Sequence, residues 1–122
     1  RLLVPRRGDP PAAGWATRAA YEPLLAAGVR IYEYMPRKLH AKTSAIDEEW
    51  GVIGSANLDY LSLFVNQELV LLARDRSLAK ALDAQYQRDL EYAAEVTLAL
   101  WRRRRWHERG LEAFGRSVRW LL

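Results

Sequence analysis

The sequence contains no cysteine. It can form no disulfide and do no thiolate chemistry, and its redox compartment stays open. It has two histidines, His40 and His107, too few for a multi-histidine metal site within one chain. Methionine occurs once, at Met35, and the chain opens on Arg1. These features lead us to expect a piece of a longer chain, with Arg1 to Pro5 ending a strand whose partners lie elsewhere. No signal peptide is recognisable. Apolar runs such as Leu69 to Ala73 fall far short of the ~20 residues that a spanning helix needs. No internal repeat is visible.

What is present suits one domain. The 122 residues are half hydrophobic and 28% charged, which supports a packed core and argues against global disorder. The net charge of +4 is unevenly placed. From Leu98 to Leu122 seven arginines against two glutamates give +5, while the preceding part holds twelve basic and thirteen acidic residues, giving −1. A basic tail suits an anionic membrane or a polyanion.

Residues 6–14 are rich in turn formers. Residues 15–27 read as one helix stopped by Gly28, with Pro23 an awkward interior residue. Residues 29–34 alternate as a half-buried strand does, and 36–38 form a basic turn. A second strand is expected over 39–46, a turn over 47–49, and a third strand over 50–53. An irregular stretch leads to a strand over 68–73. Asp75 or Ser77 can cap a long helix over 78–96. This order predicts an α/β fold, a layered mixed sheet flanked by helices. We expect a catalytic half-domain over 1–96, followed by a basic, Trp/Arg-rich amphipathic segment over 97–122.

The informative stretch is His40-Ala-Lys42-Thr-Ser-Ala-Ile-Asp47, followed by Gly54-Ser55-Ala-Asn57. In a strand, residues two apart share a face, so His40 and Lys42 would project together. An imidazole beside an ammonium is a poor core pair, because burying an unpaired charge is costly. The pair makes sense if both face an anion, and phosphate fits. Lysine neutralises its oxygens, asparagine donates an amide hydrogen bond, and histidine supplies a nucleophile or a proton. Gly54 and Ser55 are small enough to let the backbone approach the same anion.

These residues resemble the phospholipase D superfamily. Its signature, H-x-K-x4-D-x6-G-S-x-N, is met at every fixed position from His40 to Asn57. The continuation through Asp59, Ser62, Asn66 and Glu68 resembles the bacterial cardiolipin synthase branch, N-[LF]-D-x2-S-x3-N-x-E. The resemblance implies one half of a phospholipase D-type fold. It implies a catalytic set of His40, Lys42, Asp47, Asn57 and Glu68, with Glu68 orienting the histidine and Asp47 more structural than chemical. It implies a phosphate-binding set of His40, Lys42, Ser55 and Asn57, and no metal or other cofactor. Asp59 and Asn66 are read as loop-shaping residues, and Tyr60 and Phe64 as either core or the border of a lipid channel.

The family builds its site from two such motifs, and this sequence holds one. His107 has no motif around it and is given no catalytic role. The second half is expected from a preceding segment or from a homodimer partner; in the first case His40 would be the general acid/base. The implied activity is that of a cardiolipin synthase-type phosphatidyltransferase, with anionic phospholipid as substrate, peripheral on the cytoplasmic face of a bacterial inner membrane. The rival readings are a homodimeric nuclease, with nucleic acid as partner, and a membrane-binding module that does no catalysis. For the tail, Trp101, Arg102, Arg103, Arg104, Arg105 and Trp106 are expected to contact membrane. Leu111, Phe114, Val118 and Leu121 would form an apolar stripe beside them.

Overall fold

A computed structural model of the protein describes residues 1–7, 11–36, 39–57 and 59–117. The described chain is mixed α/β, with two three-stranded sheets and six helices, and it divides into two compact units. One unit comprises residues 1–39 and 92–122, and the other residues 40–91. This division departs from the expected boundary at 96/97, because the C-terminal segment supplies core to the first unit.

In the first unit β1 (Leu2–Pro5) pairs parallel with β2 (Ile31–Tyr34). A parallel pair needs a crossover, and helices α1 (Pro11–Ala19) and α2 (Tyr21–Ala26) provide it. The single helix expected over 15–27 is thus two. The break falls at Ala20, so Pro23 lies in the first turn of α2, where a missing N–H costs nothing. Gly28 ends the segment with a left-handed φ of +85° and donates to the Leu25 carbonyl at 3.1 Å.

Strand β2 is buried along its whole length rather than half-buried. The reason is its place between β1 and the antiparallel β6 (Ala93–Val96). Polar Glu33 is tolerated there because Arg18 donates to its carboxylate at 2.8 Å and the Tyr21 hydroxyl at 3.3 Å. Burial, then the Glu33 charge, pushes the Tyr21 phenol well above its ordinary pKa. Tyr21, Ile31 and Trp101 form the core, with Val4, Leu24, Leu25, Val29 and Val96 packed against it.

Trp101 comes from α5 (Leu98–Arg102), which Thr97 caps through its side chain. Arg18 and Arg104 stack over its ring at 5.0 and 4.2 Å. Arg104 also pairs with the buried carboxylate of Glu112 at 2.9 Å. Glu112 lies on α6 (Trp106–Ser117), which packs on α1 with Phe114 edge-on to Trp15.

The second unit is an antiparallel sheet in the order β3 (Thr43–Ile46), β4 (Trp50–Gly54), β5 (Val70–Arg74), followed by α4 (Arg76–Leu90). Asp75 caps α4, accepting from the amides of Ser77 and Leu78. Gly51 lets the helix close on the sheet, since a Cβ there would stand 2.6 Å from Leu78 Cγ. Two expectations are corrected here. The helix expected over 78–96 stops at Leu90, and 93–96 becomes β6. The strand expected from residue 39 starts at Thr43, because its partner β4 ends at Gly54, whose amide donates to the Lys42 carbonyl. The stretch expected to be irregular contains a short helix, α3 (Tyr60–Phe64). The expected turn at 36–38 lies largely outside the described residues, as does the centre of the one at 6–14.

Candidate functional site

His40, Lys42, Ser55, Asn57 and Glu68 all belong to the second unit. His40 and Lys42 stand on the approach to β3 and not within it, yet they come together as the two-residue spacing demands. Lys42 Nζ lies 3.0 Å from each ring nitrogen of His40 and donates to the His40 carbonyl at 3.0 Å. A protonated lysine donates only, so this geometry needs a ring nitrogen with a free lone pair. His40 is exposed and Lys42 half-buried. An exposed histidine beside a fixed cation can meet an anionic group from solvent.

Strand β4 delivers the next residues. Gly54 passes so close to the start of β5 that a Cβ would stand 2.6 Å from the Leu69 carbonyl oxygen. That approach lets Ser55 join β5 by two backbone-level bonds: its amide donates to the Leu69 carbonyl, and its hydroxyl accepts from the Leu69 amide, both at 3.0 Å. The Ser55 hydroxyl donates to Glu68 Oε2 at 2.5 Å. Asn57 follows two residues later, exposed, on the loop into α3.

Glu68 differs from expectation. Its described hydrogen bond is from Ser55, and none is described to His40. Ser55, then Ser62, hold its carboxyl below the usual range against desolvation, with smaller help from Asn66 and, last, the Lys42 charge. The Ser55 hydroxyl therefore anchors Glu68 in the direction that favours its ionised form. The Ser55 hydroxyl, expected on the phosphate, bonds Glu68 and the Leu69 amide.

Asp47 lies at the far end of β3, in the turn to β4, roughly 16 Å along an extended strand from Lys42. It and Glu48 have left-handed φ values of +51° and +55°, and the Glu49 amide closes the turn on the Ile46 carbonyl. Aspartate tolerates that conformation better than most residues, which gives Asp47 a structural part. Arg76 and Arg74 bind Glu49 and lower its pKa. Among the described residues no group of three or more His, Asp or Glu is arranged to hold a metal ion.

Two residues were undervalued in the sequence. Asp59 caps α3, accepting from the Ser62 amide at 2.8 Å. Ser62 is buried at 7% exposure. Its spacing after Asp59 was the only sequence signal for it. Phe64 is 73% exposed, which favours a surface over a core position; the Tyr60 side chain lies outside the described residues.

The tail set is split by the structure. Trp101 is 4% exposed in the core, and Arg104 is committed to Glu112 and the Trp101 ring. Neither offers a free surface. Arg102 is exposed and pairs with Glu22 at 3.2 Å; Arg103, Arg105 and Trp106 are exposed. Leu111 and Phe114 are also exposed, while Val118, Leu121 and the His107 side chain lie outside the described residues. No helix among the described residues is long and apolar enough to cross a membrane.

Comparison with known proteins gives one direction. The family described as cardiolipin synthase, PLD-like domain, matches residues 1–90. Cardiolipin synthase A from Escherichia coli strain 55989 / EAEC is 35% identical over 103 residues, covering 84% of this chain. The same protein name, identity and coverage recur in Escherichia coli strain SMS-3-5 / SECEC. The chain spans only 21% of the length of these curated relatives. No solved structure matches the chain.

Proposed function

Since the chain belongs to the cardiolipin synthase PLD-like family, we propose that it supplies one half of the active site of a phosphatidyltransferase that transfers a phosphatidyl group to phosphatidylglycerol. The observation that carries this reading is the placement of Lys42 Nζ 3.0 Å from both ring nitrogens of His40 on an exposed edge. A phosphodiester entering there would have a cation for its oxygens and an imidazole at hydrogen-bond range. Asn57 donates an amide to the same phosphate, and Glu68 orients the histidine once the site is complete.

The reaction takes two displacements. A histidine nitrogen attacks phosphorus, the P–N bond forms, and the bond to the first alcohol oxygen breaks. The second histidine gives its proton to that leaving oxygen. It then takes the proton of the phosphatidylglycerol hydroxyl, whose oxygen displaces the first histidine from phosphorus. His40 is the acid/base of the pair, and the nucleophile comes from a second motif, in a preceding segment or a partner copy. The protein works peripherally on the cytoplasmic face of a bacterial inner membrane. Arg103, Arg105 and Trp106, with Arg102 at the margin, meet anionic headgroups.

The test uses the chain joined to its second half, with phosphatidylglycerol vesicles and, separately, plasmid DNA, both without added metal. Cardiolipin should form, and His40→Ala should abolish it. DNA cleavage without lipid turnover would overturn the reading in favour of a nuclease. Vesicle binding without turnover would make the chain a membrane-binding module.

A further inference from the structure

The stretch between Asn57 and β5 carries a run of apolar side chains at the surface. Leu63, Phe64 and Val65 are 56%, 73% and 62% exposed, and Leu69 is 82% exposed. Single apolar residues on a surface need no explanation, but a cluster does. The stretch is also uncharged. From Tyr60 to Gln67 there is no charged side chain, in a protein that is 28% charged. The backbone presents the run as a tip. Asp59 caps α3 by accepting from the Ser62 amide at 2.8 Å, and Ser62 is buried. Phe64, two residues on and so roughly 200° around the helix, stands on the opposite side. The amides of Val65 and Asn66 then both donate to the Leu61 carbonyl, at 2.9 and 2.7 Å, and turn the chain. The return ends beside the site. Leu69 accepts from the Ser55 amide and donates to the Ser55 hydroxyl, both at 3.0 Å, two residues before Asn57.

The chemistry of the run selects its partner. A nucleic acid would call for basic residues around the site, and this rim holds none. A protein interface is closely packed at its centre, whereas a bilayer accepts apolar side chains that stand out from the surface. The polar residues that follow the tip, Asn66 and Gln67, are neutral amides, so no charge has to leave water. A phosphodiester that carries acyl chains has the complementary pattern, an anionic group joined to apolar tails. On the reading of His40 and Lys42 as a phosphatidyl-transfer site, we propose that Leu63, Phe64, Val65 and Leu69 form a bilayer-contacting tip beside it. Their side chains enter the boundary between headgroups and acyl chains while the phosphate rests at Lys42.

The test exploits the absence of cysteine. Leu63→Cys, Val65→Cys and Leu69→Cys are each labelled with an environment-sensitive fluorophore, and Ala84→Cys, exposed on α4, is the reference. On vesicles of phosphatidylcholine and phosphatidylglycerol, the three tip labels should shift to shorter wavelength and be quenched by bromines carried on the acyl chains. The label at position 84 should stay open to iodide in the water. In the unlabelled chain, Leu63→Ser with Val65→Ser should weaken vesicle binding on the order of tenfold. That loss should persist at high salt, where attraction between arginines and headgroups is screened. Tip labels that stay in water on bound vesicles, or a wild-type chain that binds no vesicles, would overturn the proposal. So would binding unchanged by the serine pair. A wavelength shift that appears without lipid and grows with protein concentration would give the tip to a second copy and overturn it too. If the serine pair does not fold, the labels decide alone. None of these readouts needs turnover. Insertion without cardiolipin formation would sink the transferase reading and leave the tip, and cardiolipin formation with the labels in water would do the reverse.

Discussion

Glu68 is held below the ordinary carboxylate range of about 4.5, chiefly by Ser55 and next by Ser62. A depressed acid adds stability that is fully present above its unfolded pKa and is lost as pH falls through its folded pKa. Ser55→Ala removes the largest cause. The stability gap between wild type and Ser55→Ala should therefore be widest above pH 4.5 and should close as the solution is acidified below it. Urea denaturation at a series of pH values measures this, and a gap that ignores pH would remove Ser55 as the anchor. Two glycines make a second residue-scale comparison. In Gly51→Ala the new methyl meets side-chain atoms of Leu78 and Leu82, which can partly repack at about 1–3 kcal/mol. In Gly54→Ala it meets the Leu69 carbonyl and the Val70 Cα, which cannot move without shifting β5. Gly54→Ala should be the more destabilising in the same denaturation series. It alone should also raise the titration midpoint of the Glu68 carboxyl, because it displaces the Ser55 anchor. The identities of these site residues were legible in the sequence, since phosphate chemistry demands particular side chains at fixed spacings. Their partners were not. Glu68 was expected on His40; the hydrogen bond that Ser55 makes to it is a contact that no local pattern announces.

Elements were legible where local signals and tertiary contacts agree. The Gly28 stop, the Asp75 cap and the strand over 50–53 all formed as read, because each rests on backbone chemistry at one or two residues. The helix expected over 78–96 failed for the opposite reason. Its periodicity can be continued through Tyr92 and Ala94, but pairing with β2 sets Val96 opposite Ile31 in the core and joins Arg30 to Glu95 at 2.9 Å. Tertiary pairing of that kind overrides a weak helical preference. The turn between β3 and β4 carries the element-scale prediction. Both Asp47 and Glu48 are left-handed there, a conformation that costs an ordinary residue roughly 1–2 kcal/mol. Glu48→Gly should stabilise the protein by up to about 1 kcal/mol, glycine's greater unfolded-state entropy offsetting the rest, and should leave activity unchanged. Asp47→Ala should lower the melting temperature more than it lowers turnover per folded molecule. Turnover lost at unchanged stability would return Asp47 to the chemistry.

At the scale of the whole molecule, the two tryptophans that flank the arginine run do different work. Trp101 belongs to the core, so Trp101→Ala should cost about 3–5 kcal/mol. Trp106 is 84% exposed, so Trp106→Ala should stay within about 0.5 kcal/mol. The order should reverse on vesicles. Removing Arg103 and Arg105 together should weaken binding to phosphatidylglycerol vesicles on the order of 30-fold, at about 1 kcal/mol per arginine. Co-sedimentation measures this, and equal binding by wild type and the double variant would exclude the tail from the membrane. The last prediction follows from the count of histidines. His40 and His107 are the only two, and one motif surrounds one of them. A double displacement needs one imidazole on phosphorus and another to carry the proton, and groups that act as a unit lose nearly all their effect when one is missing. The monomeric chain should therefore transfer phosphatidyl groups at least about 10³-fold more slowly than the same chain joined to a second motif. If instead two copies complete the pair, the rate at low concentration should rise with the square of chain concentration, and His40→Ala chains should poison wild-type ones. A full rate from a monomer, first order in chain, would mean that His40 performs both steps, and the pairing of two half-sites would have to be abandoned.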